Sequence, residues 1–308
     1  MIVVTGGSGL LGTSIVLQAR SLGREVVGLY HGHPLQIPGV GMRQANLIDF
    51  ATTRELLLEL RPDTIIHCAA ATNLDWCESH AEESEQLNVH ASSLLSEIAR
   101  DLKAQFIYIS TDAVFDGTRG NYSEMDKPCP LNVYARTKLA GEHAVLERHG
   151  SALIVRVNIY GWNAQQKLSL GEWFLKQLQE EKEVPGFTDV TFCPILVNDL
   201  AGVLLRMLDR GLSGLYHLAG SERISKYEFG RCVAKTFGLD PAKVVPSRIV
   251  EAKLKARRSL DISLNTTKIS QTMGVEMPSV EAGLRRFRAL YDEGYPAQLK
   301  SYLAAIAA

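Results

Sequence analysis

Cysteine is scarce in this 308-residue chain, and its five copies, Cys68, Cys77, Cys129, Cys193 and Cys232, follow no pairing pattern. The number is odd and no two stand in C-x-x-C spacing, which excludes a disulfide framework or a thiolate zinc site as the expectation. Reduced thiols in a cytoplasmic protein fit that usage. No run of 18 apolar residues occurs, so no transmembrane helix is expected. Charge of one sign is missing too. Lysine and arginine number 33 against 34 aspartates and glutamates, a net charge of −1. A broad pull toward nucleic acid or an anionic membrane is therefore not expected. The chain opens on an apolar strand pattern with no charged n-region before it, so no signal peptide is expected. His31 and His33 stand close together, but no further ligand types cluster near them, and no metal site is expected.

What is present is an ordinary soluble composition, 46% hydrophobic and 22% charged, at a length that fits a large α/β core or two lobes. The chain begins MIVVTGGSGLLG. A short apolar run breaks into Gly6, Gly7, Gly9 and Gly12, and a helical pattern follows over 10–22. Strand, glycine turn and helix in that order make a pyrophosphate cradle. Gly6 permits the tight turn, Gly9 lets backbone approach the phosphates, and Gly12 lets the helix pack close. The amide groups opening the helix, at Leu10 and Leu11, then face the anion.

Strand patterns recur at 2–5, 25–29, 42–45, 64–68, 105–110 and 152–157, with helical patterns at 10–22, 51–60, 82–102 and 133–148. That alternation predicts a Rossmann-like, doubly wound parallel sheet with helices on both faces. Helices at 170–181, 197–208, 226–237 and 280–291 surround a strand at 215–218, with loops over 184–193 and 245–263. We read residues 1–160 as a dinucleotide-binding domain and 161–308 as mainly a smaller α/β substrate lobe, the chain crossing between them more than once.

The segment LNVYARTKLAGEHA places Tyr134 and Lys138 four residues apart, on one face of a helix. A phenol near pKa 10 is a poor acid at neutral pH, and a neighbouring ammonium is expected to lower it. The pair makes a general acid for a carbonyl that receives hydride. A third hydroxyl is expected at a strand's carboxyl end, and FIYISTDAVFDG offers Thr111, with Ser110 the competing candidate because side chains alternate.

TGGSGLLG, STDAVFDG and YARTK, in that order, resemble the extended short-chain dehydrogenase/reductase superfamily. STDAVFDG followed by PLNVYARTKLAGE resembles the dTDP-4-dehydrorhamnose reductase family within it. HCAAATNLDWCES, QLNVHASS and GLYHLAGSERISKYEFG fit the same pattern. The resemblance implies an oxidoreductase that reduces a 4-keto group on a nucleotide-linked deoxysugar. It assigns the pyrophosphate to Gly6, Gly9 and Gly12, and adenine to Asn46 and Leu47. It places Ala69 and Ala70 beside the cofactor and makes Thr111, Tyr134 and Lys138 the catalytic set. It further implies a homodimer built on helices 82–102 and 133–148, the alternative being that their apolar faces serve only the sheet.

The strand at 25–29 leads into Tyr30 and His31 with no carboxylate to bind a ribose 2′-hydroxyl, which favours NADP(H) over NAD(H), although the nearest arginine is Arg43 on the next strand. Three positions depart from the family pattern, all on the substrate side: Ile195 after Pro194, Arg258 where a proline often follows the arginine, and Ala113 in place of an aromatic. Arg257 or Arg258 is the candidate for a substrate pyrophosphate, a solvated surface role being the alternative. Two other readings are carried forward. One is a nucleotide-sugar epimerase. The other is a non-catalytic NADP-binding subunit resembling the regulatory beta subunit of methionine adenosyltransferase.

Overall fold

The computed structural model describes residues 1–303. Its first half alternates strand and helix: β1 (Ile2–Thr5), α1 (Leu10–Ser21), β2 (Val26–Tyr30), β3 (Gly41–Gln44), α2 (Phe50–Leu60) and β4 (Thr64–His67). The next crossover holds α3 (Leu74–Cys77), α4 (Ala81–Glu85), a π turn (Gln86–His90) and α5 (Ala91–Asp101). Then come β5 (Gln105–Thr111), α6 (Val133–Arg148) and β6 (Leu153–Val157). The second half carries β7 (Ile159–Tyr160), α7 (Leu170–Gln179), β8 (Val184–Phe187), β9 (Thr191–Phe192), β10 (Ile195–Leu196) and α8 (Val197–Asp209). It ends with β11 (Gly214–Leu218), β12 (Ile224–Ser225), α9 (Lys226–Thr236), β13 (Val244–Ser247), α10 (Thr267–Met273), α11 (Val280–Asp292) and α12 (Tyr295–Ser301).

Seven strands form one parallel sheet in the order β3-β2-β1-β4-β5-β6-β11. Strand order reverses between β1 and β4, which opens a crevice beyond their carboxyl ends, the place where such sheets bind ligands. The central strands are buried on both faces, so they read as unbroken apolar runs rather than alternations. Val3, Val4, Ile65, Ile66, Ile154 and Val155 are all fully buried. On one face α1 packs against α8, with Ile15, Val16, Leu200 and Leu204 in the core. On the other face α2, α5 and α6 cover the sheet through Leu57, Leu95, Ile98 and Val145.

Two readings of the sequence are corrected. The helix expected over 82–102 forms but is not regular: α4 runs into α5 through the π turn. The cause is tertiary. Asn88 in that turn accepts from the Ala71 amide (2.9 Å) and donates to the Ala71 carbonyl (3.2 Å), so one extra residue is wound in to aim it. The stretches taken as loops over 184–193 and 245–263 contain strands. β8 pairs in parallel with β13, and β9 pairs antiparallel with β12. These segments are two to four residues long, too short to show a period.

Residues 197–218 return to the first half, where α8 covers α1 and β11 becomes the outer strand beside β6. The far end also returns: the Gln36 amide donates to the Tyr302 carbonyl (2.7 Å), and Leu35 bridges Leu303. No helix among the described residues is long and apolar enough to cross a membrane.

Candidate active site

The glycine turn closes on itself. Gly6 adopts φ +64°, and a Cβ there would stand 2.8 Å from the Ala69 amide nitrogen. A Cβ on Gly12 would stand 2.1 Å from the Gly6 carbonyl oxygen. Gly9 is the N-cap of α1 with no side-chain hydrogen bond, and the first turn carries no acid. The amides of Leu10, Leu11 and Gly12 therefore open onto the crevice with the positive end of the helix dipole behind them. Ala69 and Ala70 follow β4 and are half-buried, and the Ala69 amide donates to Thr5 Oγ1 (3.3 Å). This donor set fits a dinucleotide diphosphate. Beyond β3, Leu47 is buried and Asn46 is exposed. His31 and His33 are both exposed, and Arg43 lies 3.9 Å from Glu59 on edge strand β3.

Helix α6 is fixed at its start by two side chains. Asn132 accepts from the Ala135 amide (2.8 Å), and Glu78 accepts from the Val133 amide (2.7 Å). Tyr134 and Lys138 thus leave the helix at set positions beside the end of β5. Thr111 acts on the Tyr134 phenol in the direction of the phenolate. Thr111 Oγ1 accepts from the Ala113 amide and donates to Asp112 Oδ1, both at 3.2 Å. Ser110, on the opposite side of the strand, donates instead to Glu142. Alternation along β5 therefore sorts the two hydroxyls: Glu142 engages Ser110, and Thr111 stands at the strand's carboxyl end.

The electrostatics differ from the sequence expectation. Burial pushes the Tyr134 phenol up to about 12 despite the opposing effect of Thr111, with the Asp112 and Cys77 charges adding to the rise. Burial also brings Lys138 down to about 7, against a smaller opposing effect of Glu142. Desolvation dominates at both groups. The Lys138 Nζ sits over the Tyr108 ring, 3.9 Å from its centroid. Asp112, 3% exposed, is raised to about 7 by burial, with Asn158 and Thr111 opposing the rise.

Several participants carry no local signal. Glu142 and Arg156 form a buried bidentate ion pair at 2.9 and 2.7 Å. Asn88 reaches Ala71 and Thr137 (3.0 Å) from the π turn. The loop after β7 borders the crevice: Gln165 Nε2 donates to the Ser8 carbonyl (3.2 Å) and Lys167 Nζ to Thr72 Oγ1 (3.2 Å). Only Glu142 could have been found by spacing, four residues after Lys138 on one helix face. On the substrate side Arg257 is exposed, whereas Arg258 turns inward. Its Nη2 lies 3.1 Å from Asp75, and its buried Nη1 has no partner among the described residues. Lys226 opens α9 and acts electrostatically on Asp112.

The model of one protein family, described as the RmlD substrate binding domain, matches residues 1–292. A probable low-salt glycan biosynthesis reductase of Haloferax volcanii is 34% identical over 294 residues, covering 94% of this chain and 98% of that protein. The methionine adenosyltransferase 2 subunit beta of Rattus norvegicus is also 34% identical, over 88% of this chain and 83% of its own length. Among solved structures, the dTDP-4-dehydrorhamnose reductase of Bacillus anthracis in complex with NADP superposes with a TM-score of 0.83 at 25% identity, covering 94% of this chain and 98% of that one. With its N-terminal glycine turn and seven-stranded parallel sheet, the chain belongs to the RmlD substrate binding domain family.

Proposed function

We propose that this protein is an NAD(P)H-dependent reductase of a nucleotide-linked 4-keto-6-deoxysugar. The observation that carries the reading is that Thr111 ends β5, that Tyr134 and Lys138 stand one turn apart on α6 packed against that strand, and that the glycine turn lies on the same sheet edge. Gly6, Gly9, Leu10, Leu11 and Gly12 would hold the diphosphate. Ala69 and Ala70 would line the nicotinamide side, and Asn46 and Leu47 the adenine side. A bound nicotinamide supplies the hydride.

Tyr134 is the acid. Its raised pKa keeps the phenol protonated at neutral pH, so it delivers a proton to the developing alkoxide. Thr111 polarises the carbonyl as a neutral donor by turning its one hydroxyl proton from Asp112 Oδ1 to the substrate, while its oxygen keeps accepting from the Ala113 amide. Lys138 supplies positive charge behind the phenol as the proton leaves. The unpartnered Nη1 of Arg258 supports a role in binding the substrate's diphosphate, with Asp75 fixing the guanidinium plane. We assign residues 1–160, with 197–218, to the cofactor half and the remainder mainly to the substrate lobe. A homodimer through α5 and α6 and a cytoplasmic location belong to the same proposal; light scattering reads the first.

NADP(H) is assigned over NAD(H) because the end of β2 presents Tyr30 and His31 and no carboxylate. The test is oxidation of NADPH and NADH against dTDP-, UDP- and GDP-linked 4-keto sugars. Turnover on one of them, abolished by Tyr134→Phe to about 10³-fold or below with cofactor binding retained, is the expected result. No oxidation of either cofactor, together with a stoichiometric protein partner from the source cell, would favour the regulatory-subunit reading instead.

A further inference from the structure

Lys138 is 2% exposed. Among the described residues no carboxylate pairs with its ammonium. Glu142, one turn along α6, has both oxygens taken by Arg156 and also accepts from Ser110. The groups facing Lys138 from other elements are uncharged near neutral pH. Burial holds His67, at the end of β4, down to about 3 and the adjacent Cys68 up to about 12. The π turn contributes Asn88, and α5 contributes Ser92, which bonds His67 at 2.9 Å. Tyr134 lies a turn earlier on α6, with Asp112 and Cys77 acting on it from beyond.

What meets the Nζ is the Tyr108 ring on β5, 3.9 Å away at its centroid. The ring is fully buried, and its hydroxyl donates to the carbonyls of Asn88 (3.2 Å) and Lys138 (3.4 Å). A Cβ on Gly141 would fall 2.3 Å from that hydroxyl, so α6 carries glycine where the ring's edge comes through. The aromatic face is thus locked beneath a desolvated cation, the setting in which ring and cation attract most strongly.

We propose that Tyr108 is a positioning residue for the reaction: the face of its ring holds the Lys138 side chain in place and in its ammonium form, and through Lys138 it controls proton delivery by Tyr134. This rests on the reductase reading above. The reaction itself is unchanged; the ring decides over what pH range its electrostatic support is present. Lys138 has to be charged to aid departure of the proton, so turnover falls as pH rises through the lysine's titration.

The test titrates Lys138 Nζ by NMR in the full-length, lysine-labelled protein, its resonance identified by its loss in Lys138→Arg. Tyr108→Phe keeps the face and is expected to titrate like the wild type. Tyr108→Met removes the face and is expected to lower the ammonium-to-amine ratio roughly tenfold at a given pH. The high-pH limb of kcat should move down by about one pH unit with it. Because Tyr108→Met also changes the packing of a fully buried site, a phenylalanine series at 108 with increasing ring fluorination gives the same reading at nearly constant shape. The ratio should fall with each fluorine added. A flat series, or a Tyr108→Phe shift as large as that of Tyr108→Met, would overturn the proposal. Failure of the wild type to oxidise NADPH on any keto-sugar would instead reject the reductase reading, and the lysine titration, read without substrate, separates the two failures.

Discussion

Tyr134 and Lys138 stand four residues apart, and burial drives them in opposite directions, the phenol up and the amine down. Their spacing was legible in the sequence because it lies within one helix. The environment that sets their charge was not, because it is assembled from β4, β5 and β6. The Glu142–Arg156 pair makes the point in energetic terms. Both side chains are 3–4% exposed, so removing one leaves a buried charge without compensation. We expect Arg156→Met to cost about 3–5 kcal/mol in urea unfolding. Adding Glu142→Leu should recover most of that loss, and a double variant no more stable than the single one would contradict the account. A second prediction at this scale concerns acid. His67 and His217 are buried and held neutral, each lowered from 6.5 to about 3. An unfolded histidine takes up a proton below about 6.5 and the folded one does not. Stability from these sites is therefore complete above that pH and is lost as pH falls toward 3. The slope is about 1.4 kcal/mol per pH unit for each histidine. Urea midpoints between pH 7 and 4, with His217→Gln removing one histidine's share of the slope, check it.

At the scale of elements, every strand of the main sheet was readable, since strands buried on both sides are short apolar runs bounded by turns. Helix α6 was readable to the residue over 133–148, and the structure adds Asn132 as its cap. The π turn was invisible for a physical reason: nothing in 82–102 breaks helical periodicity, and the extra residue exists to bring Asn88 against Ala71, the residue after Ala69 and Ala70. Asn88 is fully buried and bonds Ala71 through both its amide and its carbonyl. Asn88→Ala should destabilise the fold by about 2–3 kcal/mol through unsatisfied backbone groups. It should also weaken NADPH binding several-fold if, as we propose, Ala69 and Ala70 line the cofactor, because that segment loses its anchor. Fluorescence titration with NADPH reads this, and unchanged affinity would separate the turn from the site.

For the molecule as a whole, the order of the chain is not the order of the structure. The sheet begun by residues 2–5 is finished by β11 and covered by α8, both encoded after a detour through β7 to β10. The last described residues reach further back. Lys300 donates to the carbonyls of Ala164 (3.0 Å) and Gln165 (2.6 Å), in the loop whose Gln165 touches Ser8. Removing residues 295–308 should lower the melting temperature by several degrees and speed NADPH release, as stopped-flow fluorescence would report. No local pattern foretold these closures, because each joins segments about sixty to more than a hundred and fifty residues apart. One outcome concerns synthesis. Until residue 218 has emerged from the ribosome, β6 is a bare apolar edge able to pair with a neighbouring nascent chain. This protein's exposure to aggregation is therefore greatest midway through translation, when its first 160 residues already look complete.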